Sequence, residues 1–190
     1  MLTSRAVRIA FTHNLKLSES EEEAEFDTEE TVGNILGGLR ERGHEVEPIE
    51  VSGPASHLAA RLEAFAPDLI FNTAEGRRGR TREAFYPALF EELAIPYTGS
   101  DAYVLTTTLD KWLTKVIVRE RASVDTPRAR LVTARDLHGG ERERSDGSLG
   151  VPLPAIVKPN YEGSSQGITD DSVARDVKAL STIVERALRA

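Results

Sequence analysis

The chain has 190 residues, 39% hydrophobic and 29% charged, with a formal net charge of −7. That composition suits a globular protein able to bury a core without staples, and not a disordered chain. There is no cysteine, which excludes a disulfide scaffold, a thiolate zinc site and a cysteine nucleophile, and the chain lacks the basic footprint of a nucleic-acid binder.

No apolar run approaches the ~20 residues of a membrane helix, and Met1 to Arg5 opens no signal-peptide core. A cytoplasmic protein with neither membrane nor nucleic-acid partner is expected. Arg8-Ile9-Ala10-Phe11-Thr12 reads as a buried strand. Ser18 to Thr31 then holds eight acids and no base, so the rest of the chain sums to +1. A solvated loop leading into a helix accounts for this run, and a grip on an amine substrate is the alternative. Val32, Ile35, Leu36 and Leu39 recur at helical spacing, with Asp27 or Thr28 as the cap and Gly43 as the stop. His44 to Ile49 reads as a second strand and Ala55 to Phe65 as a helix stopped by Pro67. Asp68 to Asn72 reads as a third strand. Arg77, Arg78, Arg80 and Arg82 crowd the following loop, either solvated or holding an anionic group. Ala84, Phe85, Ala88, Leu89 and Leu93 form the next helical stripe, closed by Pro96.

Alternating strands and helices predict an α/β fold with a Rossmann-like parallel sheet over the first ~100 residues. Thr12-His13-Asn14-Leu15-Lys16 stands where a dinucleotide fingerprint would lie, which argues against a dehydrogenase. A second section begins near Thr107. It is read as a helix over Leu109 to Arg121, a strand over Ala129 to Thr133, and a mobile loop over Asp136 to Gly150. Ala155 to Lys158 reads as a strand, and Val173, Val177, Leu180, Ile183, Val184 and Leu188 as the stripe of a last helix. Trp112 and Phe85 are expected in the core. His13, His44, His57 and His138 show no metal-ligand spacing.

Tyr161-Glu162-Gly163-Ser164-Ser165-Gln166-Gly167 follows Lys158 at the end of a strand. Such a loop can fold over phosphates, with glycines allowing close approach and the lysine supplying charge; a surface hairpin is the plainer reading. It is not a P-loop, because no Gly-x-x-x-x-Gly-Lys-Ser/Thr occurs.

Ile95 to Ser100, Leu109-Asp110-Lys111, Thr126-Pro127, Ile156 to Pro159 and Glu162 to Ile168 occur in the order seen in D-alanine–D-alanine ligases. From about Arg8 to Ala190 the chain resembles that family of the ATP-grasp superfamily. The resemblance implies a Rossmann-like pre-ATP-grasp domain over 1–106. It implies an incomplete α+β ATP-grasp domain over 107–190. It further implies a carboxylate–amine ligase using ATP and Mg2+ through an acyl phosphate. Lys111 and Lys158 match the ATP-phosphate lysines. Glu162, Gly163, Ser164, Ser165 and Gly167 match the loop closing over the triphosphate, and Ser164 matches the serine ordering its substrate end. Glu25 stands nearest the family's amine-binding glutamate. Glu75 stands in the run where the family carries a histidine, so an amino acid or peptide other than D-alanine is expected. The family's magnesium ligands find no match, so they are expected outside this chain, which would then be an N-terminal portion inactive alone. A shortened, non-catalytic module binding a ligand or partner is the alternative. The sheet edge of the second section and the apolar face of its last helix are expected to be poorly covered, which would favour a homodimer or mobility of Tyr161 to Gly167.

Overall fold

A computed structural model describes residues 6–137 and 149–189. The chain divides into two compact units, 1–106 and 107–190.

The first unit is built on one strand. β1 (Arg8–His13) is buried from Ile9 onward and lies between two parallel neighbours, β2 (Glu45–Glu50) and β3 (Leu69–Asn72). Phe11 stands opposite both Pro48 and Phe71. β2 is an edge strand, which is why Pro48 is tolerated there. On the other side Ile70 bridges Tyr97, with Ile70 N–H donating to the Pro96 carbonyl at 2.8 Å.

Alternation sends the β1 side chains to opposite faces. Ile9 and Phe11 meet Val32, Ile35, Leu36 and Leu39 of α1 (Glu29–Glu41). Ala10 meets the other cluster, with Ile49, Leu58 and Leu62 of α2 (Ala55–Phe65), Ile70, and Tyr86 and Phe90 of α3 (Phe85–Glu92). Helices therefore cover both faces, as a parallel sheet requires. The α3 stripe is shifted from its expected phase. Tyr86, Pro87 and Phe90 are buried, while Phe85 is half-exposed and not a core residue. A 3₁₀ turn over Arg82–Ala84 precedes α3 and sets a helix rotation that the hydrophobic pattern does not encode.

Thr28 is the cap of α1, its hydroxyl accepting from the Thr31 N–H at 3.1 Å. Gly43, at φ +84°, ends that helix. Gly33, Gly37 and Gly38 lie within α1, exposed and with open space where a Cβ would stand. Gly38→Ala should stabilise the first unit by about 0.5–1 kcal/mol, read as a higher denaturation midpoint at unchanged slope.

α4 (Ala102–Leu109), a helix not expected from the sequence pattern, leads to α5 (Lys111–Ala122). A four-residue α6 (Ala134–Leu137) follows. Ala129 to Thr133 is not a strand: among the described residues none pairs with it in a ladder, and Arg130 bonds to the Leu149 carbonyl and Asp136. Most of the loop expected over Asp136 to Gly150 lies outside the described residues. β4 (Ala155–Ile156) pairs antiparallel with β5 (Val173–Ala174). The strand thus ends before Lys158, and Val173 belongs to β5 and not to the last helix, α7 (Val177–Ala187), which Asp176 caps. Leu180 and Val184 of α7 are buried against Leu149 and Ala174, so its apolar face is covered, contrary to expectation. What stands open is Ile156 and Val173, paired across the two strands. Trp112 is also exposed, because it sits on the first turn of a helix that buries no residue completely.

Candidate functional site

Ligands of open parallel sheets bind beyond the carboxyl ends of the strands. In the first unit β1 and β3 end side by side there. Thr12 Oγ1 bonds Asn72 Oδ1 at 2.7 Å, and the Thr73 N–H donates to the Thr12 carbonyl at 3.0 Å. The acidic loop returns to the same place. Asp27 N–H donates to the Asn14 carbonyl at 2.9 Å, and Lys16 N–H to the Asp27 carbonyl at 2.8 Å. Thr73 Oγ1 donates to Asp27 Oδ2 at 2.5 Å. Within the exposed tip Glu23 accepts from the N–H groups of Leu17 and Ser18, which holds its carboxyl below the usual range.

These ties bring together Glu25 and Glu75, the two carboxylates expected at a substrate. Glu25 is among the groups that act on the Glu75 carboxyl. Burial pushes the Glu75 carboxyl up to about 8, assisted by Glu25 and by the charge of Glu83, and opposed by Arg82. Arg82 lies 3.6 Å from Glu25, and these two side chains are only 10% and 11% exposed. Of the four expected arginines, Arg82 therefore joins the carboxyl pair, and Arg77 lies over the Phe26 ring at 5.6 Å. Asn14 is a member of this cluster that the sequence reading does not single out. Its Oδ1 accepts the Glu75 N–H at 2.7 Å, and its place just past a fully buried strand is the available signal.

The second unit gathers the other expected residues around the start of α5. Asp110 caps the helix by accepting from the Leu113 N–H at 2.9 Å. Asn160 clasps the same end: its Nδ2 donates to Asp110 Oδ1 at 2.8 Å, its Oδ1 accepts the Trp112 N–H, and its carbonyl accepts the Lys111 N–H. Burial opposes the charge of Asp110, but the Leu113 N–H, the Asn160 amide and the Tyr161 hydroxyl outweigh it, so its carboxyl stays below the usual range. Lys111 Nζ donates to the Glu162 carbonyl. Ser164 and Ser165 are exposed at φ +40° and +62°. Gly167, at φ +67°, faces Pro159, and a Cβ there would come within 2.9 Å of its Cγ. Lys158 lies between β4 and this loop in the chain. The arrangement thus brings Lys111 onto the Glu162–Gly167 loop and leaves Lys158 exposed to solvent. Among the described residues no group of three His, Asp or Glu side chains could hold a metal ion, and no helix is long and apolar enough to cross a membrane.

No protein-family model matches the chain. It is 33% identical over 133 residues to the D-alanine–D-alanine ligase of Gluconobacter oxydans, covering 70% of this chain and 40% of that protein. It is 37% identical over 141 residues to that of Xanthomonas axonopodis pv. citri, covering 72% and 41%. The chain thus spans about two fifths of the length of these relatives. Among solved structures, D-alanine–D-alanine ligase from Bacillus anthracis complexed with ATP superposes with a TM-score of 0.63 at 22% identity, over 97% of this chain and 55% of that one. VanG D-Ala:D-Ser ligase from Enterococcus faecalis gives 0.66 at 17%, over 97% and 60%. At those identities the structures speak for the fold alone: a Rossmann-like parallel sheet followed by part of an ATP-grasp domain.

Proposed function

We propose, from the premise that this chain is D-alanine–D-alanine ligase-like, that it serves an ATP-dependent joining of a carboxylate to an amine. The substrate is an amino acid or peptide, held in the first unit at Glu25 and Glu75. The second unit provides Lys111, Lys158 and the loop of Glu162, Gly163, Ser164, Ser165 and Gly167 for the triphosphate, with Ser164 ordering the substrate end.

The observation that carries this reading is the contact of the Lys111 ammonium with the Glu162 carbonyl. It sets a cation against a loop with positive φ at Ser164, Ser165 and Gly167, a backbone form that can turn N–H groups toward anionic oxygens. Phosphoryl transfer asks for such positioned positive charge. Magnesium supplies further charge neutralisation between phosphate groups when bound, but the described residues offer no ligand set that fits it, and none of them is assigned to it.

The test is ATP binding by the 190-residue chain. Lys111→Met and Lys158→Met should each weaken binding about tenfold or more, the worth of a charge-assisted hydrogen bond. Unchanged affinity in both variants would defeat the reading. A non-catalytic module binding a ligand or partner is the alternative outcome of that test. ATP binding without release of ADP in the presence of any amino acid would favour it.

A further inference from the structure

None of the twelve residues of α5 is completely buried. Core packing therefore does little to set where the first turn of this helix lies. Polar bonds set it instead. Thr114 Oγ1 donates to the Thr107 carbonyl at 2.8 Å, and Lys115 Nζ to the Pro127 carbonyl at 3.3 Å, which tie α5 to segments adjacent in the chain. Asn160 reaches the first turn from 50 residues beyond Asp110.

The grip of Asn160 covers three successive residues with Lys111 in the middle. Its Nδ2 donates to Asp110 Oδ1 at 2.8 Å, its Oδ1 accepts from the Trp112 N–H at 3.0 Å, and its carbonyl accepts from the Lys111 N–H at 3.2 Å. The partners fix the orientation of the amide, because an ionised carboxylate only accepts and an N–H only donates. The first N–H groups of a helix have no partner within it. Here Asn160 takes those of Lys111 and Trp112, and Asp110 takes that of Leu113. The end of α5 is thus closed by the chain itself, and what this turn offers an anion is the Lys111 side chain. Asn160 also stands two residues after Lys158 and two before Glu162, whose carbonyl accepts from Lys111 Nζ. The residue that holds the Lys111 backbone therefore opens the loop that the Lys111 ammonium touches.

Resting on the nucleotide reading above, we propose that Asn160 is a positioning residue for Lys111: it seats the backbone of that lysine at the root of the Glu162–Gly167 loop, so that the ammonium meets the phosphate oxygens the loop encloses. Asn160 touches no phosphate itself. It acts through Lys111, and an amide suits the task because it carries a donor and an acceptor side by side.

A double-mutant cycle tests this, by calorimetric titration of the 190-residue chain with ATP and with inorganic tripolyphosphate. Asn160→Ala should weaken both ligands about tenfold. In a Lys111→Met background the same substitution should cost less than about twofold, because no lysine remains to be seated. Asn160→Asp sets a carboxylate against that of Asp110 and should weaken binding at least as much as Asn160→Ala. Adding Asp110→Asn to Asn160→Asp returns one donor and one acceptor to the pair with the roles exchanged, and Asn caps a helix as Asp does. That exchanged pair carries the parent's charge and should bring affinity back to within about threefold of the parent. Trp112, the single tryptophan, bonds to Asn160, so its emission should shift in Asn160→Ala and return in the exchanged pair. Where Asn160→Ala does not fold, Asn160→Ser, which keeps the backbone bond and shortens the side chain, takes its place in the cycle. A lower urea midpoint with unchanged affinity would overturn the proposal, as would a full loss that persists in the Lys111→Met background. Either result leaves the nucleotide reading intact if binding still depends on Lys111 and Lys158. Failure of the parent chain to bind ATP or tripolyphosphate would overturn both.

Discussion

Phe90→Ala lowers the stability of the first unit by about 3–5 kcal/mol. Phe90 is fully buried on α3, its ring centroid 5.6 Å from that of Tyr97. Its neighbours in the cluster include Ala10, Ile49, Leu62 and Ile70, which belong to all three strands and to α2. Truncation therefore leaves a hole lined by the sheet itself. The sheet cannot fold inward to fill it, because its ladder bonds and the helices on its other face fix its position. That puts the cost in the upper part of the range for such substitutions. Urea unfolding followed by far-ultraviolet circular dichroism measures it. The single tryptophan, Trp112, lies in the second unit and reports on that unit separately. A loss below about 1 kcal/mol would mean that the core repacks freely and that Phe90 is not its keystone.

Gly76→Ala should damage the site more than the fold. A Cβ at Gly76 would lie 2.5 Å from the Arg82 carbonyl oxygen and 3.2 Å from the Arg82 Cα. These are backbone atoms, so no side chain can swing away. The Gly76 N–H also donates to that same carbonyl at 3.0 Å, and this bond closes the loop carrying the arginines. Opening it moves Arg82 away from Glu25 and disturbs Glu75, which immediately precedes the glycine. Stability should fall by about 1–3 kcal/mol, as overpacking usually costs. Amino-acid binding should fall about tenfold or more while ATP binding stays as in the parent, a split that plain unfolding would not produce. Equal loss of both would refute a local effect. Gly38→Ala, with open space at its Cβ, is the natural control.

The parts of the molecule legible in the sequence are those whose periodicity answers to burial on one face. α2 occupies the expected Ala55 to Phe65, and β1 follows its apolar run to within a residue. The departures have common physical sources. The stripe on α3 falls out of phase with its pattern because Phe85 and Tyr86 are both large and aromatic; only the turn before the helix decides which one faces inward. β5 is too short to show a period, and Ala129 to Thr133 has strand composition but no ladder partner among the described residues. At the candidate sites the residue types are readable and their company is not. Glu25 lies in an acidic run that any solvated loop would explain, and only the return of Asp27 to the end of β1 brings it beside Glu75. Asn160 sits in a segment whose glycines and serines dominate the pattern, whereas its side chain binds the start of α5.

The ties between Asn14, Lys16 and Asp27 also bear on how this loop can change over evolutionary time. They close it at its neck, so its exposed tip near Ser20 hangs outside a ring that is already shut. Closing a longer ring costs little extra entropy, roughly 0.6 kcal/mol for each doubling. Glu25 stands two residues inside the neck and is held by it rather than by the tip. Insertions and deletions at the tip are therefore nearly neutral, and the loop's length can drift while Glu25 keeps its address.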